Sequence, residues 1–303
     1  MTTNLDTARE FVKIVVKRGL ATLGFELRRL PATALPAPLY DDPMEAISRI
    51  NAGELAAIRG SLKDCVMYNG LSLGQQGWHP FVEAARCYLK TGNEAASRAV
   101  LDVFYSKWQP INALEALIGA RIGPQLLARF PPHLMHAPWI TASPDERMKF
   151  TERNVEVESL SITGQLLTIK DGYGLHGPVS REKAELEHKR LINIVRSIRK
   201  VGYDRTLGDV TAQVLRRGDE YRYRLMHGHH RASALVALGH NSIPVVPTML
   251  VDREDVEHWP QVYRGIWSRD EALAYFDHHF DFDSGSWAHA IGLVKESPMK
   301  SFP

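Results

Sequence analysis

Residues 221–251 place the strongest constraint on how this chain folds. YRYRLM (221–226) has the composition of a short strand, and the HGHH that follows it is typical of a tight turn. RASALVAL (231–238) has helical spacing and ends at Gly239, and SIPVVPTMLV (242–251) is rich in the β-branched residues that favour strands. The order strand, turn, helix, strand predicts an α/β unit, which we place in residues 141–303.

The preceding part of the chain has a mainly helical pattern. Prolines at 31, 36 and 38 form a linker, and the sequence from Asp42 to about Arg129 is dominated by helical spacing, including PMEAISRI, ELAAIRGSL, HPFVEAARCYLKTG and EAASRAVLDVFYSKW. We therefore expect a helical domain over residues 32–140. VEVESLSI, after a proline-rich connection, alternates like a strand. The predicted class is α+β, with the helical domain first.

Composition excludes several classes of protein. The 303 residues contain 37 Lys plus Arg and 35 Asp plus Glu, a net charge of +2, which argues against a protein that coats nucleic acid. No stretch approaches 18 consecutive apolar residues. Cys65 and Cys87 form no CxxC pair, which excludes a thiolate zinc site and suits a reducing cytoplasm.

Residues 1–31 form an amphipathic, basic segment. They contain six basic and three acidic side chains, with apolar residues at helical spacing. Two interpretations remain open: a helix lying on the anionic inner face of a membrane, as in a peripheral membrane protein, or a terminal helix docked on the protein itself. The ending GFELRRLP resembles the N-termini of some bacterial surface-polysaccharide enzymes.

The turn at residues 227–231 carries the chemistry. A helix N-terminus presents free backbone amides and the positive end of the helix dipole, so it attracts anions. Gly228 lets the backbone approach a ligand closely, and Arg231 in the first helical turn can bind two phosphate oxygens. His227, His229 and His230 cluster at the same point. The turn therefore predicts a phosphate-binding site.

HGHHRASALVALGHNSIPV resembles the phosphate-binding core of the ParB/sulfiredoxin superfamily. In that core a strand, a turn ending in His/Arg-Arg and a helix precede a Leu-Gly-x-x-x-Ile-Pro-Val strand. Ser197, Ile198 and Gly202 resemble the Ser-Ile-x-x-x-Gly helix of the same superfamily. The resemblance covers roughly residues 165–255, about a third of the chain, and implies a sulfiredoxin-like, nucleotide-binding fold.

The branches of the superfamily differ at the turn. Sulfiredoxins use a cysteine where this chain has His229, and ParB partition proteins carry Gly-Glu-Arg-Arg followed by a long DNA-binding domain, whereas only about 50 residues follow Val251 here. Free serine kinases carry Asp-Gly-His-His-Arg, which Gly228 to Arg231 match. His227 stands in place of their aspartate, and a histidine does not replace a carboxylate as a magnesium ligand.

The resemblance and the residues together predict a cytoplasmic, kinase-like phosphotransferase. It would use ATP, ADP or CTP, with Mg²⁺, and transfer a phosphoryl group to a small hydroxyl-bearing acceptor such as a sugar or polyol. The nucleotide-binding candidates are Gly228, His229, Arg231, Arg190 and His176, and the catalytic candidates are His227, His230 and Glu187, with either Glu187 or His227 as the base.

Three other interpretations stay open. The first is a non-catalytic nucleotide-binding regulatory or scaffold protein, which the substitution at His227 favours. The second is a ParB-like nuclease, which the low net charge disfavours. The third is a metal site at the HGHH turn or in DHHFDFD (277–283), but ligands crowded into one tight turn suit tetrahedral zinc poorly. We therefore assign no metal ligand and expect no specific nucleic-acid partner.

Overall fold

The computed structural model describes residues 36–74 and 77–294, and the side chains of 161–163 are left out of the description. The predicted α+β class is confirmed by one mixed sheet covered by helices. The strands are β1 (Leu39–Tyr40), β2 (Ala57–Ser61), β3 (Cys65–Val66), β4 (Val210–Arg217), β5 (Glu220–His227) and β6 (Ser242–Asp252). The helices are α1 (Pro43–Asn51), α2 (Pro80–Thr91), α3 (Glu94–Lys107), α4 (Pro144–Thr163), α5 (Arg181–Val201), α6 (His229–Ala237), α7 (Pro260–Tyr263), α8 (Arg269–Asp281) and α9 (Ser284–Ala290).

The six strands lie in the order β1-β2-β6-β4-β5-β3. β4 and β5 form an antiparallel hairpin, with Val214 opposite Tyr223, while β6 runs parallel to β4 and antiparallel to β2. β3 runs parallel to β5, with Cys65 opposite Tyr223. This arrangement places the segment after β3 beside the end of β5, where the histidine turn begins.

Apolar side chains cover both faces of the sheet. Val214 packs in one apolar cluster and its neighbour Leu215 in a second one, because successive side chains of a strand point to opposite faces. The first cluster contains residues of α2, α3, α5 and α6, such as Phe81, Phe104 and Leu191. The sheet is therefore the central layer, and the turn lies where β5 passes into α6 on the first face.

The predicted strand–turn–helix–strand order is confirmed by β5, α6 and β6. Gly228 separates β5 from α6 with a φ of 90°, in the left-handed region that glycine adopts most easily. An added Cβ at Gly228 would lie 2.7 Å from Cγ2 of Val210. Glycine is thus required here both for its backbone conformation and for the space it leaves.

Side chains cap the starts of two helices that border the turn. The Ser180 side chain accepts a hydrogen bond from the Lys183 amide at the start of α5, which ends at Gly202. His79 Nδ1 accepts a hydrogen bond from the Phe81 amide and caps α2, which ends at Gly92. α5 is 21 residues long and carries Glu187 on its buried side. Its length and its capped start fix the position of that carboxylate.

The sequence pattern predicted a helical domain over residues 32–140. This prediction is wrong in part, because the segment also contains three strands. Within ELAAIRGSL, Ala57–Ser61 form β2 rather than a helix, and Leu39–Tyr40 and Cys65–Val66 add two further strands to the sheet. Ala57 and Ile58 are both fully buried, and β2 pairs with β6 through four residue pairs. Pairing with a strand about 185 residues away overrides the local helical spacing.

The predicted strand in VEVESLSI is wrong, because these residues lie within α4. Ser143 and Glu146 form a capping box at the start of α4, and the helix continues to Gly164. Val155 and Ser159 are buried while Glu156 is exposed, which is the spacing of a helix face rather than of a strand. The alternation of valine and glutamate had concealed that four-residue period.

The predicted basic segment of residues 1–31 lies outside the described residues. Within the part of the chain that is described, no helix combines the length and the apolar character needed to cross a bilayer.

Candidate functional site

The HGHH turn separates its three histidines. His227, the last residue of β5, is exposed, and His230, in the first turn of α6, is buried. The His230 ring stacks on Phe81 with 4.5 Å between the ring centroids. His229 Nδ1 lies 3.0 Å from Sδ of Met67. Of the three, only His227 is open to a ligand approaching from solvent.

The amides at the start of α6 are available to a ligand. The first hydrogen bond within this helix is donated by the Ala232 amide to the Gly228 carbonyl, so the amides of the three residues before Ala232 have no partner inside the helix. Gly228 has no side chain that could cap them. The geometry of an anion-binding helix N-terminus is therefore present at this turn.

Glu187 is the centre of a buried charge cluster behind the turn. Its Oε1 lies 2.6 Å from Lys183 Nζ, and its Oε2 lies 2.9 Å from His230 Nε2 and 3.7 Å from Arg190 Nη1. The side chains of Lys183 and Glu187 are 2% and 4% exposed. Gly174 approaches so closely that an added Cβ would lie 2.9 Å from Glu187 Oε1. Both carboxylate oxygens are thus occupied by protein partners.

These contacts determine the charge state of Glu187. Burial by itself raises the pKa of a carboxyl, but the neighbouring Lys183, His230 and Arg190 more than offset burial and hold the pKa of Glu187 well below its usual range. Glu187 is therefore ionised at every physiological pH. A carboxylate in this state orients its partners and is a weak proton acceptor.

The turn histidines are neutral at pH 7. Burial lowers the pKa of His229 to about 3, helped by the neighbouring His230 and His227. Burial also lowers the pKa of His230, and partial desolvation of the His227 ring, with the charges of Arg147 and Arg231, lowers the pKa of His227. A neutral imidazole keeps a lone pair, so His227, which is exposed, can accept a proton.

Both arginines that the sequence assigns to phosphate, Arg231 and Arg190, are held by other protein groups. Arg231 donates hydrogen bonds to the carbonyls of Gly208 and Asp209, which fixes the loop before β4 to the turn. Arg190 Nη2 lies 2.7 Å from Glu158 on α4, in addition to its contact with Glu187. Both guanidinium groups border the turn, but their hydrogen bonds anchor the surrounding structure.

His176 lies in the loop that passes over Glu187. Its Nδ1 is 3.0 Å from the Gly177 carbonyl oxygen, and burial lowers its pKa to about 4. The ring faces Tyr173, with 5.7 Å between centroids, while the loop touches Glu187 through Gly174. His176 therefore belongs to the wall of the site rather than to the turn.

Sequence reasoning missed several residues that border the site. Lys183 is the third residue of α5, where a capping box would have an acid, and its side chain turns inward to Glu187. The remaining additions come from distant segments and carry no local signal; they are Tyr68, Asn69, Arg147, Glu158 and Tyr173.

Two clefts of the described structure lie elsewhere. A cleft of about 1080 Å³ opens at the opposite end of α6, where Lys63, Arg86 and His240 face Asp281 and Asp283. A smaller cleft of about 490 Å³ lies between α3 and the start of α5. Neither of these two clefts is lined by the turn residues.

Within residues 36–74 and 77–294, no group of three or more His, Cys, Asp or Glu side chains is arranged to hold a metal ion. No family model, curated protein or solved structure matches the chain. The resemblance of the turn to the ParB/sulfiredoxin superfamily therefore rests on the residues of the motif, and it stays a prediction.

Proposed function

We propose that this protein binds a nucleotide at the Gly228 turn and transfers its terminal phosphoryl group to a hydroxyl of a small acceptor. The observation that carries the proposal is the buried contact between Glu187 and His230, at 2.9 Å, in the first turn of α6. This contact and the Glu187–Lys183 pair tie the start of α6 to α5, beside an exposed, neutral histidine. Phosphoryl transfer depends chiefly on such positioning and on charge stabilisation.

The turn supports phosphate binding in two ways. The unpartnered amides before Ala232 donate to phosphate oxygens, and the α6 dipole favours negative charge at the same place. Gly228 leaves room for close approach because it has no Cβ. These groups do not depend on Arg231, which is held by Gly208 and Asp209.

His227 is the base in this proposal. The acceptor hydroxyl gives its proton to the His227 imidazole while its oxygen bonds to the terminal phosphorus, and the nucleotide leaves with one phosphate fewer and with the electrons of the broken P–O bond. Glu187 is the weaker choice of base, because Lys183 and His230 occupy both of its oxygens. Its role is to orient His230 and neutralise Lys183.

Mg²⁺ would enter this site with the nucleotide. Protein sites for Mg²⁺ usually supply one or two carboxylates and leave the other positions to phosphates and water. The carboxylates near the turn, Glu158 and Glu187, lie in ion pairs with Arg190 and Lys183. They do not fit a ready-made cation cage, so the phosphates would supply the ligands and the ion would neutralise their charge.

The test has a binding arm and a transfer arm. Isothermal titration calorimetry with ATP, ADP and CTP measures binding, and ³¹P NMR with sugars and polyols detects a phosphorylated product. We expect Gly228→Ala to weaken binding, and His227→Gln to leave binding intact and abolish transfer.

Absence of binding to all three nucleotides would overturn the proposal. Loss of binding in Lys63→Gln and Arg86→Gln, with binding retained in Gly228→Ala, would place the nucleotide in the large cleft instead.

A second candidate function is nucleotide binding without transfer. The observation that favours it is His227, which stands where the kinases that the turn resembles carry an aspartate. His227→Asp separates the two functions: gain of turnover in the variant, with binding but no turnover in the unaltered protein, indicates a regulatory or scaffold protein. Turnover in the unaltered protein supports the transferase.

We also propose that the protein is cytoplasmic and binds the inner membrane face through residues 1–31, where a surface-polysaccharide precursor would supply the acceptor hydroxyl. The support is the excess of basic side chains in this segment. Deleting residues 1–31 should move the protein from the membrane fraction to the soluble fraction. An unchanged distribution would contradict the membrane proposal and leave the nucleotide proposal intact.

A further inference from the structure

Arg147 of α4 lies over the aromatic residue that supports the turn. Its guanidinium carbon is 5.8 Å from the centroid of the Tyr68 ring and 5.4 Å from that of Phe150. Tyr68 in turn donates a hydrogen bond to the Met226 carbonyl at 3.3 Å and packs against His229. Stacking on rings holds a guanidinium in place without using its N–H donors. Arg147 is thereby positioned at the turn with those donors unused.

Among the residues that the structure describes, the guanidinium of Arg147 has no protein partner for its N–H donors, unlike the guanidinium groups of Arg190 and Arg231. Within the described residues no carboxylate lies within 4.0 Å of Arg147, and its buried Nε has no hydrogen-bond partner. Arg190 contacts Glu158 and Glu187, and Arg231 donates to backbone carbonyls. Buried polar groups are almost always satisfied, so the Nε of Arg147 is available to a water molecule or a ligand.

The effect of Arg147 on neighbouring pKa values agrees with a position near the turn. The positive charge of Arg147 is one of the effects that lower the pKa of His227, after burial, and it also acts on Tyr173 in the loop that crosses Glu187. Arg147 is therefore close enough to His227 to act on its charge, and it reaches the turn through Tyr68, which contacts Met226 and His229.

We infer that Arg147 binds the anionic group of the ligand at the turn, with its guanidinium donating to phosphate oxygens that the α6 amides contact from the other side. The inference rests on the proposed function and deepens it, because it assigns the phosphate-binding arginine to α4 instead of α6. A planar guanidinium binds two phosphate oxygens at once, which a lysine cannot do.

The anionic group could belong to the nucleotide or to the acceptor, and the probes distinguish these sources. Calorimetry uses ATP, inorganic tripolyphosphate and adenosine, with three variants. Arg147→Gln removes the charge, Arg147→Lys keeps it without the fork, and Arg153→Gln is the control, because Arg153 is exposed on the same helix. Thermal melts of the ligand-free variants show whether each one is folded.

We expect Arg147→Gln to weaken binding of ATP and tripolyphosphate about tenfold or more, and Arg147→Lys to weaken it less. Arg153→Gln should bind like the unaltered protein.

If adenosine binds and both phosphate probes bind equally well to all variants, the inference is wrong. Binding of ATP that Arg147→Gln leaves unchanged overturns the inference but not the proposed function. Binding of tripolyphosphate without any nucleotide, lost in Arg147→Gln, overturns the nucleotide and supports the inference. Absence of binding to every phosphate probe overturns both.

Discussion

Nζ of Lys183 lies 2.6 Å from Oε1 of Glu187, one helical turn away on α5, and both side chains are almost fully buried. A buried charge pair is costly to break, because removing one partner leaves the other without compensation in a poorly polarisable surrounding. The cluster that positions the turn therefore depends on this pair.

Lys183→Met should destabilise the protein by about 3–5 kcal/mol, the range found when one partner of a buried pair is removed. Lys189→Met is the matched control, since Lys189 pairs with Glu185 on the same helix at 2.7 Å but both side chains are exposed. Loss of an exposed pair should cost far less, because water solvates both charges. Urea unfolding measures both variants, and equal midpoints would contradict the buried role of Lys183.

Acid should destabilise the fold through His79. Burial lowers the pKa of His79 from 6.5 to about 3, so the unfolded chain takes up the proton before the folded one does. The stability from neutral His79 is complete above pH 6.5 and falls as the pH decreases toward 3, by about 1.4 kcal/mol for each pH unit.

His79→Asn isolates this effect, because asparagine keeps an oxygen that can cap α2 and does not titrate. Unfolding by urea at pH 7.5, 6.0 and 5.0 should show a smaller loss of stability in His79→Asn than in the unaltered protein. His240→Asn, at an exposed histidine, should follow the unaltered protein. Parallel curves for all three proteins would rule out His79 as the source.

The proposed transfer should depend on pH through His227. Partial desolvation of the His227 ring, with the charges of Arg147 and Arg231, lowers the pKa of His227, so the base form persists to mildly acidic pH. The rate should be flat near pH 7 and decline with acid only below 6.5. His227→Gln should lose both the rate and this acid limb. An unchanged profile in that variant would assign the proton to another group.

Gly228→Ala should disturb the turn more than Gly239→Ala does. Both glycines have a positive φ, of 90° and 84°, so each alanine meets the left-handed penalty of about 1–2 kcal/mol. Only at Gly228 would the added Cβ meet a neighbour, at 2.7 Å from Val210, whereas nothing lies within 4 Å at Gly239. Urea unfolding should therefore rank Gly228→Ala as the less stable variant, and the reverse order would contradict the close packing at the turn.

Short-range pattern was sufficient for part of the fold. The order from β5 through Gly228 and α6 to β6, and the capped start of α5 at Ser180, follow from residues adjacent in sequence. Residues 57–61 did not follow in this way, because their helical spacing was overridden by pairing with β6. The strand pattern within α4 likewise gave way to the capping box at Ser143.

For the candidate site, too, the sequence predicted some features and only the tertiary structure showed the others. The sequence by itself determined that three histidines, Gly228 and Arg231 lie within one turn at a helix N-terminus, since they are neighbours in the chain, but it did not determine that their side chains point apart. Only the tertiary structure decided that Lys183 turns inward to Glu187 and that Arg147 reaches the turn from α4. Burial and contacts between distant segments set these positions, and neither is encoded in local periodicity.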